Sequence, residues 1–149
     1  MRFGILGGLA VRDDAGEAVS VGGPRPRALL VMLLLDAGRA VPVERLIAGQ
    51  YGDAPPADAL NAVQAQVSRL RKTIPGIELD ATGYRLDTDP DDVDALRFER
   101  LVGEGRRQLA AGDHAAARET LREALGLWRG EPLPDLPHAG TLVTRLIEL

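Results

Sequence analysis

The chain of 149 residues contains no cysteine, and this absence excludes several kinds of chemistry together. Disulfide bonds, thiolate nucleophiles and cysteine-ligated zinc all require that residue, so its absence suits a protein of the cytoplasm. Histidine is almost as rare, because His114 and His138 are the only two and neither stands at a spacing typical of a metal site or a catalytic triad. No phosphate-binding loop of the Gly-Lys-Ser/Thr kind is present either. We therefore expect no metal, no cofactor and no enzymatic activity in these residues.

Aromatic residues and long apolar runs are also scarce. Only 3% of the residues are aromatic although 45% are hydrophobic, so the core must be built from Leu, Val, Ile and Ala. The longest apolar run, residues 28–35, is far too short to cross a bilayer. The first residues do not combine a charged region with a following apolar stretch, and we expect neither export nor a membrane partner.

An excess of basic residues is missing as well, because the formal net charge is −4. That value argues against a protein that coats nucleic acid indiscriminately, but specific binding depends on local basic patches. Residues 1–90 hold 10 Lys and Arg against 11 Asp and Glu, and residues 91–149 hold 8 against 11. The first part is therefore close to neutral, with a basic cluster at Arg69, Arg71 and Lys72. The acidic second part is better suited to protein partners.

Short strands open the chain. Apolar residues alternate through residues 2–11 and again through 18–21, on either side of a turn signal at residues 13–16, which indicates a small antiparallel sheet. The glycine-rich opening MRFGILGG has a superficial likeness to a dinucleotide-binding turn. That site requires Gly-x-Gly-x-x-Gly leading into a helix, and here the spacing differs and another strand follows. We therefore reject a dinucleotide site.

Two helices are predicted next. The first, from about residue 26 to 37, is apolar almost all round and should be the buried centre of the first domain. Arg25 and Arg27 lie at its N-terminal end, where solvated charge and phosphate contact are both open. The second helix, from about residue 43 to 50, leads into a loop that two prolines make rigid. That loop consists of Tyr51, Gly52, Asp53, Ala54, Pro55 and Pro56.

Residues 57–72 form the third predicted helix, and the rest of the chain is organised around it. Its apolar stripe, with the spacing of one helix face, consists of Leu60, Val63, Val67, Leu70 and Ile74. The other side consists of Asn61, Gln64, Ala65, Ser68, Arg69, Arg71 and Lys72. Amides can pair with adenine and Arg with guanine, and all of these polar groups can hold phosphates. Such a face suits a DNA groove, although by itself it is more typical of a solvated helix.

A hairpin follows the third helix. Pro75 and Gly76 end the helix, and residues 77–79 and 84–86 form two short strands. Strands, three helices and a hairpin in this order predict a winged helix-turn-helix, whose last helix enters the major groove. Arg85 on the hairpin is a candidate phosphate or minor-groove contact, with a solvated strand residue as the equal alternative.

After an acidic linker at residues 87–90 the pattern changes to helices alone. Two are predicted, from about residue 93 to 110 and from 114 to 128, with Asp113 as the N-cap of the second, and a third begins at residue 141. The stretch LAAGDHAAARETLREALGLW is similar to a tetratricopeptide unit, which cannot bury its apolar face alone.

The predicted fold class is mostly α with small β-sheets (α+β), in two domains. Residues 1–90 are assigned to a winged helix-turn-helix domain, and residues 91–149 to a tetratricopeptide-like helical domain that is expected to be incomplete. An apolar face around Leu121, Leu125 and Trp128 is expected to pack on the preceding helix, with cover by a partner as the alternative.

Five stretches of the sequence together resemble one known family. They are MRFGILGGLAVRDD, GGPRPRALLVMLLLDAGRAVPVERLI, YGDAPPADALNAVQAQVSRLRK, GYRLDTDPDDVDALRFERLV and ALGLWRGEPLPDL. In this order they resemble the Streptomyces antibiotic regulatory protein (SARP) family, which joins an OmpR-type winged helix to a bacterial transcriptional activation domain. The resemblance implies an activator of a secondary-metabolite biosynthetic cluster. Such an activator binds double-stranded DNA at direct repeats beside a second copy, and recruits RNA polymerase.

The resemblance also implies roles and shows departures. The third helix would be the recognition helix, and the loop at residues 51–56 would face polymerase. Tyr51 replaces the usual Trp, and Ala65-Gln66 replaces a longer aliphatic-His pair, which leaves the operator sequence open. The family's activation domain continues through further helices, so we expect either a fragment or a short member. The alternative function is a truncated regulator that acts as a protein-interaction module or competitor without activation.

Overall fold

The computed structural model describes residues 1–137 and 140–148. Its helices are α1 (Pro24–Leu35), α2 (Val43–Tyr51), α3 (Ala59–Leu70), α4 (Asp94–Ala110), α5 (His114–Gly126) and α6 (Gly140–Ile147), with a 3-10 turn at Pro90–Asp92. The strands are β1 (Arg2–Gly4), β2 (Ala10–Arg12), β3 (Ile77–Leu79) and β4 (Tyr84–Leu86). They form two separate antiparallel pairs, β1 with β2 and β3 with β4. The α+β class predicted from the sequence is confirmed.

One predicted strand is wrong, whereas the helices begin and end within two residues of their predicted bounds. Residues 18–21 form no strand, and Ala18 makes only an isolated bridge to Arg12. The N–H of Val19 does donate to the carbonyl of Val11 at 2.9 Å. The backbone then turns away at Gly22, whose φ of 102° suits glycine, and enters α1 before a ladder can develop.

Helix α1 is the centre of the first half of the chain. Pro24 opens it at a position where the missing N–H leaves no bond unmade. Leu29, Leu30, Leu33 and Leu34 are each 0% exposed, and the helix packs against α2, α3 and β4. Because burying one such side chain stabilises the fold by roughly 1.5–3 kcal/mol, α1 fixes where its neighbours lie.

The hairpin of β3 and β4 is attached to the connection between α1 and α2. The N–H of Val41 donates to the carbonyl of Tyr84 at 2.7 Å, and the N–H of Tyr84 donates back at 3.1 Å. The N–H of Gly38 donates to the carbonyl of Leu86 at 2.9 Å. A Cβ atom on Gly83 would lie 2.1 Å from the carbonyl oxygen of Val41, so this close approach requires glycine.

The segment at residues 5–9 connects the first half of the chain to the second. One carboxylate oxygen of Asp94, at the start of α4, accepts from the N–H of Ile5 at 2.7 Å, and the other accepts from the N–H of Leu6 at 3.0 Å. Burial raises the pKa of the Asp94 carboxyl, while these hydrogen bonds act in the opposite direction. The carboxylate therefore supplies these two N–H groups with the acceptors that a neighbouring strand would otherwise provide.

The other end of the same segment is held by an ion pair. Asp135 accepts from the N–H of Leu9 at 2.6 Å and from Arg27 Nε at 3.1 Å. Arg27 Nη2 in turn donates to the carbonyl of Leu9 at 3.2 Å. Arg27, for which phosphate contact and solvated charge were both open, is thus partly buried and joins α1 to the segment that follows α5.

Arg129 explains why the opening of the chain is rich in glycine. Its N–H donates to the carbonyl of Leu6 at 2.8 Å, and its guanidinium donates to the carbonyl of Gly8 at 2.8 Å. A Cβ atom on Gly4 would lie 2.8 Å from the Arg129 guanidinium, and one on Gly7 would lie 3.1 Å from its Cβ. These glycines therefore make room for Arg129.

Helices α4 and α5 pack closely against each other. Gly105 permits this, because a Cβ atom there would lie 2.6 Å from a methyl carbon of Leu121. The rings of Phe98 and Trp128 meet edge to face, with centroids 5.3 Å apart. The predicted N-cap is confirmed, since the Asp113 carboxylate accepts from the N–H of Ala116, residue N3 of α5.

We expect Asp135→Ala to destabilise the protein by about 1–3 kcal/mol, because it leaves Arg27 and the N–H of Leu9 without their acceptor. Thermal unfolding followed by circular dichroism measures this. Asp53→Ala, which removes an exposed carboxylate from the loop after α2, is the matched control and should leave the melting temperature nearly unchanged. Equal melting temperatures for the two variants would contradict the role assigned to Asp135.

We expect Gly83→Ala to cost about 1–3 kcal/mol, because the added methyl group forces β4 away from Val41. Urea unfolding gives the free energy. The control is Gly8→Ala, where a Cβ atom would meet nothing within 4 Å. A Gly83→Ala protein as stable as the Gly8→Ala protein would show that the hairpin is not held by this contact.

Candidate nucleic-acid interface

Helix α3 has one buried and one exposed side. The buried residues are Ala59, Val63, Gln66, Val67 and Leu70. The exposed residues are Leu60, Asn61, Gln64, Ala65, Ser68 and Arg69. At 100° per residue, five of them, Asn61, Gln64, Ala65, Ser68 and Arg69, span an arc of about 140°. The structure thus brings five of the predicted residues together on one exposed face, opposite the side that packs on α1 and α2.

Leu60 was predicted to be part of the apolar stripe, and this is wrong. Its side chain is 52% exposed. Helix α3 begins at Ala59, so Leu60 lies in the first turn and at the edge of the buried arc, while Ala59 takes the inward position. Leu60 is therefore an apolar side chain beside Asn61 and Gln64.

The cations around the end of α3 have different surroundings. Arg71 Nε donates to the carbonyl of Ile77 at 3.2 Å, which ties the end of the helix to the hairpin. Arg69 and Lys72 are exposed, and neither has an acidic partner within residues 1–137 and 140–148. These two charges are consequently free to meet an anion.

Arg85 is paired within the hairpin. It stands opposite Glu78 in the register of β3 and β4, and its guanidinium donates to the Glu78 carboxylate. This hydrogen bond raises the pKa of Arg85 above its ordinary value. The pair is half exposed, so Arg85 would have to share its charge between Glu78 and any phosphate.

The loop at residues 51–56 begins on a fixed residue. The guanidinium of Arg25 lies 4.2 Å from the centre of the Tyr51 ring, and Arg25 Nη1 donates to the carbonyl of Gln50 at 2.7 Å. Arg25, for which solvated charge and phosphate contact were both open, thus ties the start of α1 to the end of α2. Residues 53–56 are exposed.

Sequence reasoning missed two residues of this site, Gln50 and Gln66. Both are buried, at 2% and 5% exposure, and they hydrogen-bond to each other behind the exposed face of α3. One signal could have found Gln66. It lies seven residues after Ala59 and four before Leu70, which is the spacing of the buried side.

Within residues 1–137 and 140–148, no group of three or more His, Cys, Asp or Glu side chains is placed to hold a metal ion. His114 is exposed at the start of α5, and His138 lies outside the described residues. Over the same part of the chain, no helix combines the length and the apolar character needed to cross a membrane.

Comparison with known proteins gives matches over both halves of the chain. Residues 93–149 match the family model described as bacterial transcriptional activator domain. Regulatory protein AfsR of Streptomyces coelicolor is 39% identical over 99% of this chain and 15% of its own length. Regulatory protein DnrI of Streptomyces peucetius is 36% identical over 94% of this chain and 56% of its own. The solved structure of Mycobacterium tuberculosis EmbR in complex with a low-affinity phosphopeptide superposes with a TM-score of 0.89 at 32% identity, covering 99% of this chain and 41% of that one.

The relatives carry the names of regulators and not of enzymes, and the matched family model is that of a transcriptional activator domain. The resemblance to the Streptomyces antibiotic regulatory protein (SARP) family that the sequence predicts is confirmed by these relatives. The chain spans 15% of AfsR and 56% of DnrI. The domain boundary at residue 90, the tetratricopeptide-like character of the second half and the roles of the DNA-facing residues stay predictions.

Proposed function

We propose that this chain binds double-stranded DNA sequence-specifically through α3, as the recognition helix of a winged helix-turn-helix, and activates transcription. The observation that carries the proposal is the exposed face of α3, whose polar side chains project from a helix fixed by α1 and α2. Asn61 and Arg69 lie about two turns apart, about 12 Å along the helix axis, so they can reach base pairs about three to four steps apart in one major groove.

The same geometry supports separate roles for the cations. Arg69 is exposed and unpaired in the described part of the chain, so it can approach a guanine edge. Arg71 and Lys72 follow the last turn of α3 and would hold the phosphate backbone, as Arg85 would from the hairpin. Gln64, Ala65 and Ser68 complete the reading face, with Ala65 offering only methyl contact.

Activation would follow from the rest of the chain. The exposed loop at residues 51–56, which begins on the fixed ring of Tyr51, would meet RNA polymerase holoenzyme. The acidic second half, which matches the activator domain, would contribute a tetratricopeptide-like surface for protein partners. A second copy would bind the neighbouring repeat near the promoter, with the two copies arranged head to tail. The promoter would be that of a biosynthetic cluster.

A second candidate function rests on the apolar groove between α4 and α5. Leu109 and Leu125 are 45% and 68% exposed beside this groove, which has a volume of about 280 Å³. Leu121 and Trp128 do pack on α4, as predicted, but Leu125 stays uncovered. A protein-interaction module that occupies DNA without activating would present such a groove. A reconstituted transcription assay distinguishes the two, since only an activator raises transcript above the level without protein.

We expect Asn61→Ala and Arg69→Ala each to weaken binding to the operator by roughly 1–3 kcal/mol, because each removes hydrogen bonds to a base edge. Gel-shift titration on a duplex selected from random sequences measures the loss. Arg118→Ala is the matched control for Arg69→Ala, because Arg118 is an exposed cation on α5, far along the chain from the hairpin. Unchanged affinity for both α3 variants would rule out this face as the reader.

We expect Lys72→Ala to weaken binding to operator and unrelated DNA equally, because a phosphate contact carries no sequence information. The slope of log affinity against log salt should become shallower by about 1. Titrations at several salt concentrations check this, with Asn61→Ala as the variant that leaves the slope unchanged. A loss confined to the operator would instead place Lys72 at a base.

A further inference from the structure

The buried side of α3 holds an amide pair in an otherwise apolar interface. The buried polar side chains in the described part of the chain are Gln50, on α2, and Gln66, on α3. Gln50 Nε2 donates to Gln66 Oε1 at 2.7 Å. The residues around this pair on α3 are aliphatic, Val63, Val67 and Leu70, and each is at most 1% exposed.

This pair is not accounted for by stability alone. Gln50 Oε1 is buried and finds no hydrogen-bond partner among the described residues, and an unmatched buried amide oxygen opposes folding. Two apolar side chains of similar volume would fill the same space without that cost. What the amides add is direction, because a hydrogen bond requires a defined geometry, whereas aliphatic side chains slide past one another at little cost.

The backbone of Gln50 is held by α1. The backbone carbonyl of Gln50 accepts from Arg25 Nη1 at 2.7 Å, and the same arginine lies over the ring of the next residue, Tyr51. The hydrogen bond between the two side-chain amides therefore connects Gln66 to a residue of α2 that is itself bonded to α1. This hydrogen bond opposes rotation of α3 about its own axis.

Rotation of α3 matters because of what lies on its other side. Ala65 and Arg69, which flank Gln66 within one turn, are exposed on the face that we propose to read DNA. The side chains of a helix reach about 5–6 Å from its axis, so a rotation of roughly 10° displaces them by about 1 Å. A displacement of that size is enough to break a two-point hydrogen bond to a base.

We propose that the Gln50–Gln66 hydrogen bond sets the rotation of α3 and is thereby a determinant of base specificity, although neither side chain touches DNA. The inference rests on the proposed DNA-binding function. It assigns to Gln50 and Gln66 a positioning role, distinct from the contacts made by the exposed face.

The test compares base preference with general affinity. Gln50→Leu/Gln66→Leu removes both amides together and keeps the apolar volume, so it should fold. We expect its affinity for unrelated duplex DNA to stay within about twofold of the original chain, since the phosphate-facing cations are unchanged. Its preference for the operator over single-base variants should fall about tenfold, or shift to other bases, as measured by competitive selection from randomised duplexes.

A matched control and a second variant complete the design. Gln108→Leu removes another glutamine whose Oε1 is buried without a partner, but on α4, and should leave base preference unchanged. If the leucine pair does not fold by circular dichroism, Gln50→Met/Gln66→Met, with unbranched side chains, takes its place. Each single variant leaves one amide unpaired and should lose more thermal stability than the double variant does.

Two results would overturn the inference, and they can be told apart. If the double variant keeps the original base preference while the original chain is selective, the amide pair does not position α3 and the proposed function stands. If the original chain itself shows no preference for any sequence, the proposed function fails, and the role of the pair fails with it.

Discussion

The fold depends on the apolar helix α1, which is covered on all sides between residues 28 and 35. Between residues 28 and 35, α1 is buried at all but one position, and the exception, Met32, still packs on the core. A helix that is apolar all round must be covered on every side, and α2, α3 and β4 supply much of that cover. The place that α3 takes in the fold is thus a consequence of how α1 is buried.

Much of this arrangement could be predicted from the sequence, because its signals are local. The hairpin strands at residues 77–79 and 84–86 are bracketed by glycine and proline, and helix bounds follow from caps such as Asp113. The exposed face of α3 can be predicted from the helical spacing of its apolar residues. Resemblance to a known family then suggested the proposed function, which periodicity alone leaves open, and the comparisons support that resemblance.

What the sequence did not reveal depends on residues far apart in the chain. Gln66 was not placed inside because glutamine is usually exposed, and its burial makes sense only beside Gln50. Leu60 follows the apolar period, but it lies in the first turn of α3 at the edge of the buried arc and is exposed. From the sequence, both solvated charge and phosphate contact were open for Arg27. Its partner in the structure is Asp135, 108 residues further along the chain. For Gln66 and Arg27 the deciding neighbour comes from another element.

The segment at residues 5–9 also bears on the order in which the chain folds. Its hydrogen bonds to Asp94 and Asp135 span 88 to 126 residues, whereas α1, α2, α3 and the hairpin pack within a much shorter stretch. Closing long loops costs more chain entropy and slows folding. During synthesis residues 5–9 leave the ribosome well before Asp94 and Asp135 do. The N–H groups of Ile5 and Leu6 therefore wait for Asp94, and that of Leu9 waits until residue 135 has emerged.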